Sequence, residues 1–312
     1  MIDLHENPDI GWSVSLRQLE LFRAVATRGS LRAAARHLGL SQPTLTHSMK
    51  VLEQGVGAPL FVRSAKGSSL TGIGQTLLRH SQLALNELHR AQEEIARLQG
   101  ERGGRVAVGF SSAATSLLPL ALSRFQEACP GVTLALSELS SSEHDRGWLD
   151  GTYDFIVSSE VDEHPADAHP RELLYSLPLT VMARSGHPLG KARSLAELQD
   201  ALWVLPEYGP ALLRRLFESA GLAPPRRYVM CLSSQIAFTL LRFTDALGMM
   251  APKSLATLRN AHDLRPVPLR KPVPATLRVS LLARDLNALT PVAQRFADCL
   301  REAARLRRAG NV

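Results

Sequence analysis

Residues 30–56, SLRAAARHLGLSQPTLTHSMKVLEQGV, constrain the fold more tightly than any other stretch of this chain. The pattern predicts two short helices joined by a tight turn at Gly39, Leu40 and Ser41. That is a helix-turn-helix, which presents its second helix to the major groove of DNA. Ser30 stands at an N-cap position just before Ala33, Ala34 and Ala35. Ser41 caps the second helix, Gln42 follows, and Pro43 falls in the first turn, where a missing N–H costs nothing. Ala34, Leu38, Leu45, Met49 and Leu52 supply apolar positions at helical spacing, and Thr44, Thr46, His47 and Lys50 remain as a polar face.

Charge supports the same reading independently. Between residues 16 and 80, nine basic side chains (Arg17, Arg23, Arg28, Arg32, Arg36, Lys50, Arg63, Lys66 and Arg79) face only Glu20 and Glu53. This local surplus equals the formal net charge of +7 of the whole 312-residue chain, so the remainder is balanced. A segregated basic module suits a polyanion, because each Lys or Arg that neutralises a phosphate releases condensed counterions. A merely soluble basic surface would explain the charge alone; the helix-turn-helix pattern decides for nucleic acid.

The length exceeds one ordinary domain, and 45% hydrophobic with 21% charged residues is enough apolar material for substantial cores. Cys129, Cys231 and Cys299 are widely spaced with no CxxC pair, which argues against a disulfide framework or a cysteine zinc site. Three buried thiols in a reducing compartment are expected. The start, MIDLHENPDIGWSVS, lacks a basic segment followed by an apolar one, and no apolar run approaches the roughly 20 residues that cross a bilayer. These features predict a soluble cytoplasmic protein with no membrane partner, and residues 1–15 read as a loose extension.

Residues 16–28 place Leu16, Leu19, Phe22, Val25 and Ala26 on one helical face, the first helix of a three-helix unit spanning 16–73. Two short extended pieces, 60–63 and 68–70, joined by SAKG, read as a β-hairpin wing with Arg63 and Lys66 at its tip. Across 74–100, Leu77, Ser81, Ala84, Leu88, Ala91, Ile95 and Leu98 alternate in steps of 4 and 3, a heptad seam that predicts a dimerising linker helix. One amphipathic helix packed on its own domain is the plainer alternative. GERGG at 100–104 ends it as a hinge.

From 105 to 307 strand and helix patterns alternate, beginning with RVAVGF, a helix at 117–128, VTLALSEL, a helix at 144–149 and DFIV. A second such unit runs from about 179 to 267, and LRVSLLA with a helix at 291–307 returns to the first. The reading is α/β, with parallel sheets wrapped in helices and divided into two lobes, lobe I at about 105–175 and 275–307 and lobe II at about 176–274. Two lobes joined by two crossovers place a ligand cleft between them, outside the carboxyl ends of their strands.

At this point the chain resembles LysR-type transcriptional regulators over nearly its full length. The residues that carry the likeness are LRQLELFRAVATRGSLRAAARHLGLSQP, VLE at 51–53, GAPLFVR at 57–63 and LTGIGQ at 70–75. Farther on they are Gly109–Phe110 and the serines before Leu117–Leu118–Pro119, then His187–Pro188–Leu189 and LGMMAP at 247–252. The resemblance implies an N-terminal winged helix-turn-helix, a linker coiled coil, a two-lobed effector domain like periplasmic binding proteins, and commonly a homotetramer. It implies that base and phosphate contacts fall on Gln42, Pro43, Thr46, His47, Arg63 and Lys66. Ser41, Thr44 and Lys50 complete the expected DNA face. The family usually has Ala, Ser and Arg where this chain has Thr44, Thr46 and His47, and His47 lacks the permanent charge of Arg. Gly55 weakens the helix end by about 1 kcal/mol relative to Ala.

Hydroxyl clusters mark three helix starts after apolar strands: Ser111–Ser112 with Thr115, Ser140–Ser141–Ser142, and Ser233–Ser234. Helix starts with free N–H groups bind anions, although one serine suffices for ordinary capping. In the resemblance, effector contacts fall near Ser112 and on Ser141, with Pro206, Glu207 and Ser233 from the second lobe. The expected effector-binding set is therefore Ser111, Ser112, Ser140, Ser141, Pro206, Glu207 and Ser233, and the expected ligand is a carboxylate or sulfonate, aromatic or not. Glu207 would favour a ligand bearing a donor group. No GxSxG, HExxH, P-loop or GxGxxG occurs, and the histidines lack ligand spacing, so no catalytic site, metal or cofactor is expected.

Three readings compete. They are a ligand-responsive regulator of an operator in double-stranded DNA, a DNA-tethered enzyme acting on a small acid, and an architectural DNA-binding protein. Turnover of a ligand would mark the second, and indifference to metabolites the third. Two hundred residues of cleft-forming pattern favour the first.

Overall fold

The computed structural model describes residues 14–64, 67–99, 103–139, 151–161, 171–255 and 263–308. It divides into two units, residues 1–99 with 149–152, and residues 100–148 with 153–312.

In the first unit, α1 (Leu16–Arg28), α2 (Leu31–Leu38) and α3 (Gln42–Val56) precede a hairpin of β1 (Phe61–Ser64) and β2 (Gly67–Leu70), and α4 (Gly72–Leu98) follows. The starts of α1, α2 and α3 are each set by a serine. Ser15 and Gln18 form a reciprocal capping box, Ser30 accepts from the N–H of Ala33, and Ser41 accepts from the N–H of Thr44. The turn between α2 and α3 needs Gly39 at φ 66°, a left-handed conformation that side chains resist. α3 runs through Gly55 and ends at Gly57. Leu21, Phe22 and Val25 of α1, Ala34 and Ala35 of α2 and Leu45, Met49 and Leu52 of α3 close one core, with Phe22 edge-on to Phe61 at 5.4 Å. Leu16 departs from expectation: it is 52% exposed, because the buried face of α1 is set by Leu21, Phe22 and Val25.

The wing is fastened at its base. Glu53 Oε1 accepts from the N–H of Leu60 at 2.8 Å and of Phe61 at 3.3 Å, tying α3 to β1. The N–H of Ser68 donates to the carbonyl of Gly29 at 3.0 Å. Gly74 passes so close to this base that a Cβ there would lie 2.2 Å from the Leu60 carbonyl oxygen. Along α4 the heptad positions divide. Leu77 and Ser81 are buried, whereas Leu88 is 42% and Ile95 53% exposed.

The second unit holds two five-stranded sheets. Lobe I orders its strands β4 (Thr133–Glu138), β3 (Arg105–Phe110), β5 (Phe155–Val161), β12 (Thr276–Leu282) and β6 (Arg171–Pro178). Lobe II orders β11 (Leu264–Pro266), β7 (Thr180–Arg184), β10 (Ala246–Met250), β8 (Leu202–Leu205) and β9 (Tyr228–Met230). β3 is parallel to β4 and β5, and β8 to β9 and β10, as the alternating pattern predicts. Fully parallel sheets are not what forms. β12 runs antiparallel to β5 and β6, and β7 to β10 and β11. The cause is the pair of crossovers, which lie side by side. The end of β6 pairs with the start of β12 at Pro178 and Thr276, and the Leu179 N–H donates to the Ala275 carbonyl at 3.0 Å. A chain that leaves and re-enters a lobe at one place must reverse direction within it.

Helices cover these sheets. In lobe I, α5 (Leu118–Ala128) packs on α8 (Pro291–Arg308) through Phe125 and Phe296, 5.1 Å between ring centres. In lobe II, α6 (Gly209–Ser219) sets Phe217 edge-on to the fully buried Trp203 at 6.0 Å, and α7 (Ser234–Phe243) buries Leu241. The helix expected at 144–149 lies outside the described residues.

Glu53→Ala should lower stability by about 1–3 kcal/mol, because it leaves two N–H groups at the wing base without their acceptor. Urea unfolding of the full chain measures this; an unchanged midpoint would mean that water replaces the carboxylate without cost.

Candidate functional site

The exposed side of α3 begins at its cap. Ser41 Oγ is shared with Thr44 Oγ1 at 2.7 Å, and Thr46 Oγ1 donates to the Gln42 carbonyl at 2.8 Å. Thr46 therefore keeps its methyl group and acceptor lone pairs for a base edge, with its own proton spent inside the helix. Gln42, Pro43, Thr44, His47 and Lys50 are exposed, and Thr46 is half-buried. Among the described residues, the side chains of Gln42, His47 and Lys50 take no partner. An amide, an imidazole and an ammonium thus stand bare on a helix held by its opposite face. Arg63 lies on β1 opposite Ser68, two residues from the hairpin turn. Lys66 lies outside the described residues.

Between the lobes of the second unit opens a cleft of about 340 Å³. Its lobe I wall is the 3-10 turn Ser112–Leu117 that leads into α5, together with the end of β4 and Ser159 of β5. Its lobe II wall is the segment after β8 and the start of α7. Of the residues expected from sequence, Ser111, Ser112, Pro206 and Glu207 line this cleft. Ser111 is buried, its N–H donates to the Val157 carbonyl at 2.9 Å, and its hydroxyl has no partner. Ser112 is exposed, and its carbonyl accepts from Thr115 Oγ1 at 2.7 Å. Ser233 does not line the cleft; it caps α7, accepting from the Ile236 N–H at 3.4 Å, and Ser234 lines the cleft in its place. Ser140 and Ser141 lie outside the described residues.

Glu138, Ser159 and Tyr208 are among the cleft residues that escape the sequence reading. Glu138, the last residue of β4, accepts through Oε1 from the Ser234 hydroxyl, a bond that spans the two lobes. Its position at the carboxyl end of a strand was the available signal. Ser159 joins the hydroxyl lining from β5. Tyr208 lines the cleft with its phenol pushed up to about 12 by burial, so it stays a neutral hydrogen-bonding group. Behind the cleft, Arg307 of α8 donates to Ser116 Oγ and to the Lys253 carbonyl, with its guanidinium 5.0 Å from the Tyr175 ring centre. Tyr175 donates in turn to the Ala113 carbonyl at 3.0 Å. The turn carrying Ser112 is thereby fixed from its far side.

Among the described residues no Lys, Arg or His lines the cleft. Nor does any group of three His, Cys, Asp or Glu side chains gather there or elsewhere as a metal would require. No described helix is long and apolar enough to cross a membrane.

Comparison with known proteins accords with both regions. Residues 16–75 match the bacterial regulatory helix-turn-helix of the lysR family, and residues 99–305 match the LysR substrate binding domain. The chain is 32% identical to the HTH-type transcriptional regulator GalR of Pseudomonas putida, over 92% of this chain and 73% of that protein. It is 30% identical to the HTH-type transcriptional regulator TcbR of Pseudomonas sp. strain P51, over 79% of this chain and 85% of the relative. Its structure resembles that of CbnR, a LysR family transcriptional regulator, with a TM-score of 0.66 at 26% identity over 93% of this chain and 99% of that one. Full-length CbnR in complex with its target DNA matches with a TM-score of 0.65 at 25% identity, over 93% and 100% of the two chains. With both parts of the chain matched and the recognition helix and cleft in place, this protein belongs to the LysR family of DNA-binding transcriptional regulators.

Proposed function

We propose that the chain reads an operator through α3 and the wing, pairs with a second copy through α4, and is switched by a small organic acid between its lobes. The observation that carries this is the bare polar face of α3, where Gln42, His47 and Lys50 are exposed without partners among the described residues. In B-DNA a glutamine amide suits the N6 and N7 of adenine, and a threonine suits a thymine methyl or an edge acceptor. Arg63 and Lys66 at the wing serve as phosphate contacts, which add affinity without sequence preference. CbnR crystallised with its target DNA supports placing such a fold on a duplex. The protein works where that duplex is, in the cytoplasm.

Leu88 and Ile95 support the pairing, since each exposes about half of a large apolar side chain at heptad spacing. A second α4 would cover them, and two such dimers would make the tetramer that the family resemblance implies.

The acid is proposed to sit at the turn after β3. Ser111, Ser112 and Thr115 line the cleft there, and the N–H groups of Ser112 and Ala113 make no backbone bond among the described residues. Hydroxyls and open N–H groups solvate an anion without a formal cation. The cleft volume falls at the low end of the range for small-molecule sites. To switch the protein, the acid must bind the closed lobes more tightly than the open ones, since equal affinity shifts nothing.

Three outcomes follow. Gln42→Ala and Thr46→Ala should each cost about 1–3 kcal/mol on the operator and little on a scrambled duplex, whereas Arg63→Ala should weaken both alike. Competition binding at fixed salt tests this, and equal losses on both duplexes for Gln42→Ala would remove it from base reading. Leu88→Glu should place a charge in the α4 seam and halve the assembly state seen by sedimentation at micromolar concentration; an unaltered mass would refute the seam. Ser112→Ala should abolish the thermal shift given by an organic acid that stabilises the wild type, and a preserved shift would place the acid elsewhere.

A further inference from the structure

Hydroxyls that bind an acid are not all that this wall of the cleft offers. Glu138 stands next to them, paired in register with Phe110 on the neighbouring strand, and its Oε1 is held by the Ser234 hydroxyl from the opposite lobe. Its second oxygen, Oε2, has no partner among the described residues, and the residue lines the cleft. Glu207 adds a second carboxylate to the lining. A ligand that was nothing but an anion would meet repulsion here and leave Oε2 with no donor. Independently, Ser111 presents a hydroxyl in the same lining that is buried and unpartnered, with only 4% of the residue exposed. Buried polar groups without partners are rare, and a ligand group that completes the bond is one physical account.

We propose that the effector is an acid that also carries hydrogen-bond donors, hydroxyl or ammonium, with its acid end at Ser111–Ser112 and a donor end on Glu138. This rests on the acid-binding reading above and adds the identity of the second recognition point. Glu138 is then the specificity-determining residue, because a carboxylate accepts from a donor and rejects a bare apolar or anionic end. A site built to accept a donor discriminates strongly against the analogue that lacks it, since its own polar atoms are left unpaired. The geometry also couples recognition to closure. Glu138 belongs to lobe I and is pinned by Ser234 of lobe II, so a donor bound to Oε2 engages a group that exists in this form only while the lobes are together. That supplies the differential affinity a switch requires.

Calorimetry on the full chain with matched acids tests this. The probes are benzoate against its hydroxy derivatives, and propanoate against lactate and alanine. A donor-bearing member should bind about tenfold tighter or better than its unsubstituted parent, the scale of one charge-assisted hydrogen bond. Lactate and alanine separate the hydroxyl from the ammonium donor. Glu138→Gln, which is nearly isosteric and replaces the open oxygen by an amide N–H₂, should bring the ratio close to one. Equal or tighter binding of the unsubstituted acids would overturn the donor inference and leave the acid-binding reading intact. A preference retained in Glu138→Gln would remove Glu138 as its source. Absence of binding by every acid, with or without donors, would withdraw the acid-binding reading and this inference together.

Discussion

A helix that reads DNA has to be held by one face and bare on the other, and the first unit is organised around that demand. Leu45, Met49 and Leu52 lie on one side of α3 with almost no exposure, packed among side chains of α1, α2 and the segment before the wing. Burial of three such side chains is worth several kcal/mol, roughly 1.5–3 kcal/mol apiece, far more than any surface bond on the helix could supply. Pro43 and Ser41 fix where the helix begins, so Gln42 and Thr46 stand at set angles to the buried stripe. Glu53 extends the same rigidity to the wing by bonding the two N–H groups at its base.

The second unit solves a different problem. Each lobe has its own sheet and its own helices, and among the described residues the paired crossovers at 178–180 and 266–276, the hydrophobic cluster that continues through them and a few polar side chains join them. Hydrogen bonding between the crossovers makes them one narrow strap and reverses β7 and β12 relative to the parallel strands beside them. Arg307 behind the cleft and Glu138–Ser234 across it help to define the arrangement observed. The two kinds of link differ in cost to break. Glu138 is exposed and makes one charge-assisted bond across the lobes, whereas Arg307 combines two with a stacked ring.

Local chemistry decided much of this before any tertiary contact. Helix starts at Ser15, Ser30 and Ser41, stops at glycines, and the 4–3 spacing of α4 depend on atoms within a few residues of each other, so the sequence alone determined the helix-turn-helix, the wing and the linker helix. The presence of Ser111 and Ser112 at a helix start was legible for the same reason: a serine pair closing an apolar strand announces one. What the sequence could not decide was pairing at a distance. The reversal of β7 and β12 follows from where the crossovers lie. The bond of Glu138 across the cleft comes from Ser234, 96 positions away in the chain, and the choice of Ser233 as cap with Ser234 as cleft residue turns on the rotation of α7 about its axis. Those properties belong to packing between segments remote in sequence, which no local pattern encodes, and only the tertiary structure settled them.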